Sequence, residues 1–233
     1  MPCFRFALGA LLALSLAAVA CSDKPGGGDS TGPGDDAQPA PAAGLDSLRR
    51  FAESLGNDTY RLVYEVTGSD AKKGKLAATL TMAADPPRQA LGLSGEFEGK
   101  TATFVLINDG KSSFVCAESG GPGRCLKGES SSPVTIPLPA LLDVEPLLER
   151  ISADTGAEVR PARDRRIAGH DARCWEVEGA DGEGVFCVAR GDGTLLLLEG
   201  DFDGASLAMK AQEVGQPSGK DFEPPFPVVE FGP

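Results

Sequence analysis

Apolar residues recur along this chain with two different periods. Leu45, Leu48, Phe51, Ala52 and Leu55 are spaced for one face of a helix, with Asp46 near its start and Gly56 just past its end. From Tyr60 the period drops to two. Tyr60, Leu62, Tyr64 and Val66 alternate with Arg61 and Glu65, the pattern of a half-buried strand. Residues 68–75 read as a polar turn, 76–83 as a second strand ended by Pro86-Pro87, and 88–93 as a third. Strands over 101–108 and 112–117 flank Asp109-Gly110, a strong hairpin signal. Residues 134–139 are proline-rich and extended. Leu141, Leu142, Val144, Leu147, Leu148 and Ile151 form a second helical stripe, which Pro146 should kink or restart. Further strands are expected over 173–178, 185–189, 194–199 and 207–213, with Gly191-Asp192-Gly193 turning one into the next. The pattern predicts an α+β chain with about nine mostly antiparallel strands and two helical segments.

Two runs break the alternation. Phe104, Val105, Leu106 and Ile107 are consecutive, as are residues 195–198, all leucine. An antiparallel strand with one wet face should alternate, so both faces here are expected to be covered. Two short helices cannot cover nine strands. The expectation is a sheet that curls and encloses an apolar space on its concave side.

The N-terminus adds an address. Residues 6–20 are uncharged and mostly Ala and Leu. As a helix they reach only ~22 Å, short of a ~30 Å hydrocarbon core. A basic start at Arg5, a short apolar centre and small residues at the end describe a secretory signal. The stretch Leu16-Ala17-Ala18-Val19-Ala20-Cys21 resembles the lipobox of bacterial lipoproteins. That resemblance implies a signal peptide over 1–20, diacylglycerol on the Cys21 sulfur and an acylated new N-terminus (palmitate and similar chains). Residues 21–44 then form the lipidated cysteine and a flexible Gly/Pro/Asp linker, and 45–233 one globular domain. Ser22 stands where the family's inner-membrane retention signal has Asp, which favours the outer membrane in a two-membrane cell.

Of six cysteines, Cys3 leaves with the signal and Cys21 carries lipid. Cys116, Cys125, Cys174 and Cys187 remain, an even number in an exported domain. The midpoint between Cys116 and Cys125 falls on Gly120-Gly121, a favoured hairpin turn, which sets the two cysteines opposite one another. The midpoint between Cys174 and Cys187 falls on Ala180-Asp181. That register also sets Trp175 opposite Phe186. Disulfides Cys116–Cys125 and Cys174–Cys187 follow, and Trp175, Val177, Phe186 and Val188 share one candidate apolar face.

Composition narrows the chemistry. A net charge of −12 argues against nucleic acid, whose affinity rests on Lys and Arg neutralising phosphates. No Cys/His spacing suits a metal, and no CxxC suits redox chemistry. Gly28-Asp29-Ser30-Thr31-Gly32 spells G-x-S-x-G, but the strand and helix that motif needs are missing around it. His170, the single histidine, lies in an expected surface turn. No catalytic residue, cofactor or metal is expected, and the reading is not an enzyme.

The stretches TYRLVYEVTG (59–68), KLAATLTMAADPPRQALGL (75–93) and IAGHDARCWEVEG…GVFCVARGDGTLLLLEG (167–200) follow an initial helix and a set of hairpins. This order resembles periplasmic carriers of the LolA type and the related LppX/LprG lipid-binding lipoproteins. The resemblance implies a half-barrel capped by helices that carries a lipid or an acylated molecule. The protein is thus expected to be a membrane-anchored, extracytoplasmic envelope lipoprotein that binds an apolar ligand. The alternative is a non-catalytic envelope sensor or protein-interaction scaffold on the same sheet with a filled core.

Overall fold

The computed structural model describes residues 41–55, 58–70, 74–97, 100–128, 158–179, 182–202 and 205–229. Cys21, the signal and most of the linker lie outside the described residues, as do the expected extended segment over 134–139 and the helical stripe over 141–151.

The chain opens with α1 (Pro41–Ser54). It starts earlier than Leu45, because Pro41 suits a first helical turn and Gly44 presents no side chain to the sheet beneath it. Gly44, Leu48, Phe51 and Leu55 are buried, while Asp46, Arg49, Arg50 and Glu53 are exposed. The Tyr60 hydroxyl donates to the Leu55 carbonyl at 2.6 Å, satisfying one of the acceptors a helix end leaves open.

Two meanders follow. The first runs β1 (Tyr60–Asp70), β2 (Gly74–Asp85), β3 (Arg88–Phe97), β4 (Lys100–Asn108), β5 (Ser113–Ser119) and β6 (Arg124–Gly128). The second holds β7 (Glu158–Pro161), β8 (Arg165–Ile167), β9 (His170–Gly179), β10 (Gly182–Ala189), β11 (Leu195–Phe202) and β12 (Ala205–Gly215). A single turn of 3-10 helix (Gly219–Phe222) and β13 (Val228–Val229) close the chain. The described strands form one thirteen-stranded sheet in the order β13-β6-β5-β4-β3-β2-β1-β12-β11-β10-β9-β7, with β8 also paired to β9. The antiparallel pairing of β1 with β12, from Arg61↔Gly215 to Asp70↔Ala205, joins the two meanders. β13 pairs parallel to β6. This is the expected α+β half-barrel class, open at β13 and β7 and bent by register shifts at Val63/Tyr64 and Cys187/Val188.

The strands number more than the nine expected. The four added are β6, which forms the second arm of the Cys116–Cys125 hairpin, and β7, β8 and β13, which are too short for alternation to reveal. Several others are longer: β1 and β2 pair as far as Asp70↔Gly74, which shortens the expected 68–75 turn to its tip. The positive φ of Gly74 (85°) permits that tight reversal.

Register assigns every strand residue to the face under α1 or to the opposite face. The main core lies on the helix face. Leu48, Phe51 and Leu55 pack with Leu62, Tyr64, Met82, Trp175, Phe186, Val188 and Met209. The opposite face is covered in two places. At one, Arg165 of β8 reaches Glu199 of β11 at 2.8 Å, so β8 lies across β9 and β10. At the other, Phe222 and Phe226 of the C-terminal segment cover Ala83, Ala90, Ile107, Phe114 and the Cys116–Cys125 pair. Asp221 pins that segment through Arg61 at 2.9 Å, and the Arg88 guanidinium lies 4.5 Å over the Phe222 ring. Partial burial pushes the Asp221 carboxyl up, but hydrogen bonds from the Ser218 backbone, Arg61 and the Ser218 hydroxyl outweigh it and hold the group below the usual carboxylate value.

Candidate functional site: an open apolar strip on the helix face

One row of paired residues crosses most of the sheet on the helix face. Leu62 opposes Met82, Met82 opposes Leu91, Leu91 opposes Leu106, Leu106 opposes Val115, Val115 opposes Leu126 and Leu126 opposes Val229. All are apolar, but their burial is graded. Leu62 and Met82 are fully buried in the cluster that also holds Leu48, Phe51 and Leu55 of α1, Leu91 is 8% exposed and Leu106 is half-buried. Val115, Leu126 and Val229 are then 45%, 40% and 38% exposed. Phe104, one row along, opposes Leu93 and Ala117 and is itself 38% exposed. Leu106 to Val229 spans three strand spacings, roughly 14 Å at ~4.8 Å each.

The strip has a polar boundary. One row beyond it Gln89 opposes Asn108, and both are buried. The Asn108 side-chain oxygen Oδ1 accepts the Gly110 N–H at 2.9 Å, which ties the β4–β5 turn. At the same turn the Asp109 carboxylate accepts the N–H groups of Lys111 and Ser112, at 2.7 and 2.6 Å. The loop is therefore a four-residue turn held by side chains, rather than the two-residue turn that Asp109-Gly110 suggests. Nothing along the strip supplies an ionisable group for proton transfer, so its chemistry is that of contact with another apolar surface.

The sequence-derived residues fall elsewhere. Disulfides join Cys116 to Cys125 and Cys174 to Cys187, and each cysteine stands opposite its partner in the ladder. Trp175 opposes Phe186, with ring centroids 5.3 Å apart and stacked. Trp175, Phe186 and Val188 are buried beneath α1, and Val177 is half-buried. They share a face, but α1 occupies it. His170 is half-buried as the first residue of β9. Among the described residues no three His, Cys, Asp or Glu side chains gather as metal ligands, and no helix is long and apolar enough to cross a membrane.

Sequence reasoning did not single out Val115, Leu126 or Val229, and it named Phe104 only as part of an apolar run. The signal was partly present, since Phe104 lies in the doubly apolar run of β4. That run resolves into two environments. Val105 and Ile107 lie under the C-terminal segment, while Phe104 and Leu106 point to the helix face beyond the reach of α1.

No protein-family profile matches the sequence, and no curated protein sequence is similar to it. Several solved structures align with most of the chain at low identity. The Pseudomonas aeruginosa MucA/MucB complex aligns at 13% identity and a TM-score of 0.48, over 78% of this chain and 60% of that one. This chain thus spans about three fifths of the MucB-type structure's length. The Mycobacterium tuberculosis lipoprotein LppX aligns at 13% identity and a TM-score of 0.45, over 76% of this chain and 97% of that one. A LolA superfamily protein from Nitrosomonas europaea aligns at 8% identity and a TM-score of 0.30, over 77% and 97%.

Proposed function

We propose that this protein is an extracytoplasmic envelope lipoprotein, tethered through an acylated Cys21 and a linker, that holds a lipid or acylated molecule against the open end of its helix face. One observation carries the reading: the apolar row that is core at Leu62 and Met82 continues without a polar break to Val115, Leu126 and Val229, where it meets solvent. A contiguous exposed apolar surface marks an interaction site. An acyl chain laid along it gains ~0.8 kcal/mol for each CH₂ removed from water. The anchor follows the same arithmetic, since two or more chains on the N-terminus hold a protein stably where one does not.

The test uses the exported protein carrying Cys21→Ser, so that its own acyl chains do not compete. Native mass spectrometry should find a co-purified amphiphile. The environment-sensitive dye 1-anilinonaphthalene-8-sulfonate should bind and be displaced by palmitate, and Val115→Glu or Leu126→Glu should weaken binding at least tenfold. Protein free of amphiphile, with no displaceable dye, would falsify the lipid reading.

A second reading rests on a different observation. The half of the helix face around Trp175 and Phe186 is already filled by α1. A sheet with so much of its interior packed also serves as a scaffold, with the strip taking an apolar segment of a protein partner. In that case crosslinks from a photoreactive residue at 126 would trap a polypeptide in native membranes and no lipid.

A further inference from the structure

On the helix face, beside the middle of α1, lies a recess of about 450 Å³ between Ser47 and Arg50 of α1, Arg173 and Trp175 of β9, and the turn that joins β10 to β11. Arg190 on that turn also lines it. Backbone hydrogen bonds fix the turn: Arg190 N–H donates to the Asp171 carbonyl at 3.0 Å, and Ala189 N–H to that of Thr194 at 2.8 Å. Three arginines thus line one recess in a chain whose net charge is −12.

Their charges are only partly balanced. Arg190 pairs with Asp164, and both side chains are about half exposed, so the pair is weak and screened. Arg50 donates to the Asp46 carbonyl and the Ser47 hydroxyl of its own helix, each at 3.3 Å. Arg173 enters no ion pair among the described residues. Asp192 is the acidic residue lining the recess, and its carboxylate already accepts the Thr194 N–H at 3.0 Å.

Trp175 also lines the recess. It is 1% exposed, and its indole nitrogen is sealed inside the packing. The polar chemistry that the recess offers is that of its arginines, whose guanidinium forks match the oxygens of an anion two at a time.

We propose that this recess binds a phosphate group, with Arg173 and Arg190 as the forks and Arg50 closing over it from α1. The site is separate from the apolar strip, and the proposal does not depend on the strip having a ligand. The phosphate belongs either to a soluble phosphorylated molecule or to a lipid headgroup.

Trp175 is the single tryptophan of the chain, so its emission reports on the recess directly. The exported protein with Cys21→Ser is titrated with inorganic phosphate, against chloride at equal ionic strength. It is then titrated with vesicles containing phosphatidic acid, against pure phosphatidylcholine vesicles. The expected result is a saturable change with phosphate, with phosphatidic acid, or with both. Arg173→Gln and Arg190→Gln should each weaken it at least tenfold at unchanged circular dichroism. Arg50→Gln, on the exposed side of α1, gives a variant that leaves the sheet intact and should weaken binding severalfold. A response to vesicles alone identifies a headgroup, and a response to inorganic phosphate alone a soluble ligand. No response to either, a response matched by chloride, or one that survives the arginine substitutions overturns the proposal. None of these readouts depends on amphiphile binding at Val115 or Leu126.

Discussion

The phenolic hydroxyl of Tyr64 donates to the backbone carbonyl of Leu195 at 2.8 Å, across 131 residues of sequence. Both residues are almost wholly buried. Tyr64 lies on β1 and Leu195 at the start of β11, so the bond passes over β12 and ties one meander to the other. Tyr64→Phe keeps the ring and removes the donor, which leaves a buried carbonyl short of a partner. The expected cost is about 1–3 kcal/mol, read as a lower urea midpoint at unchanged slope. A change near zero would mean that another group satisfies Leu195.

Burial pushes the ionisation of Tyr64 far above the ordinary phenol value of 10.0, and the Tyr60 and Asp192 charges add to it. Burial does the same to Tyr60, with help from the Asp58 carboxylate. These are the only two tyrosines. Below pH 10 both are neutral whether the chain is folded or not, and their contribution is fully present. Above that value the unfolded chain sheds protons that the folded one keeps. Stability then falls with rising pH, by about 1.4 kcal/mol per unit for each tyrosine. Denaturant melts at a series of pH values from about 9 to 11 should show this loss, and the Tyr60→Phe, Tyr64→Phe double variant should flatten it.

Gly44 lets α1 lie on the indole of Trp175. A Cβ built there sits 2.9 Å from the ring atoms Cγ, Cδ1 and Cδ2. Alanine improves helix propensity by at most about 1 kcal/mol, whereas overpacking a core costs about 1–3 kcal/mol. The clash wins. Gly44→Ala should lower the melting temperature and shift tryptophan emission to the red. A more stable variant would show that the helix seats otherwise.

The two disulfides close short loops, with sequence separations of 9 and 13. Chain entropy alone assigns each about 3 kcal/mol. Cys174 and Cys187 belong to the main core with Trp175 and Phe186, while Cys116 and Cys125 lie in the smaller cluster under Phe222. Cys174→Ala with Cys187→Ala should therefore cost more than Cys116→Ala with Cys125→Ala. Equal losses in denaturant melts would confine both bonds to their loop effect.

Much of the local fold was legible. The cysteine midpoints and the turn residues set hairpin registers over spans of nine to thirteen residues, and those registers bring Cys116 to Cys125 and Trp175 to Phe186. An antiparallel hairpin is a local object: its turn and its alternation lie in one stretch of chain. β8 and β13 escaped because three residues and two carry too little alternation to read. The open apolar face was legible only in part. Alternation says that Val115 and Phe104 share a sheet face with Leu62, but it cannot say where a helix lies on that face.

By itself, then, the sequence determined which residues turn, which alternate and which cysteines meet, because hydrogen-bond geometry between near neighbours decides those. Only the tertiary structure decided that β1 pairs with β12 and that α1 settles over Trp175. It also decided that the apolar row runs out from under the helix at Val115. Many strands with the same pattern could pair, and burial is a property of what lies opposite. A helix of 14 residues is only ~21 Å long, too short to cover a face so many strands wide.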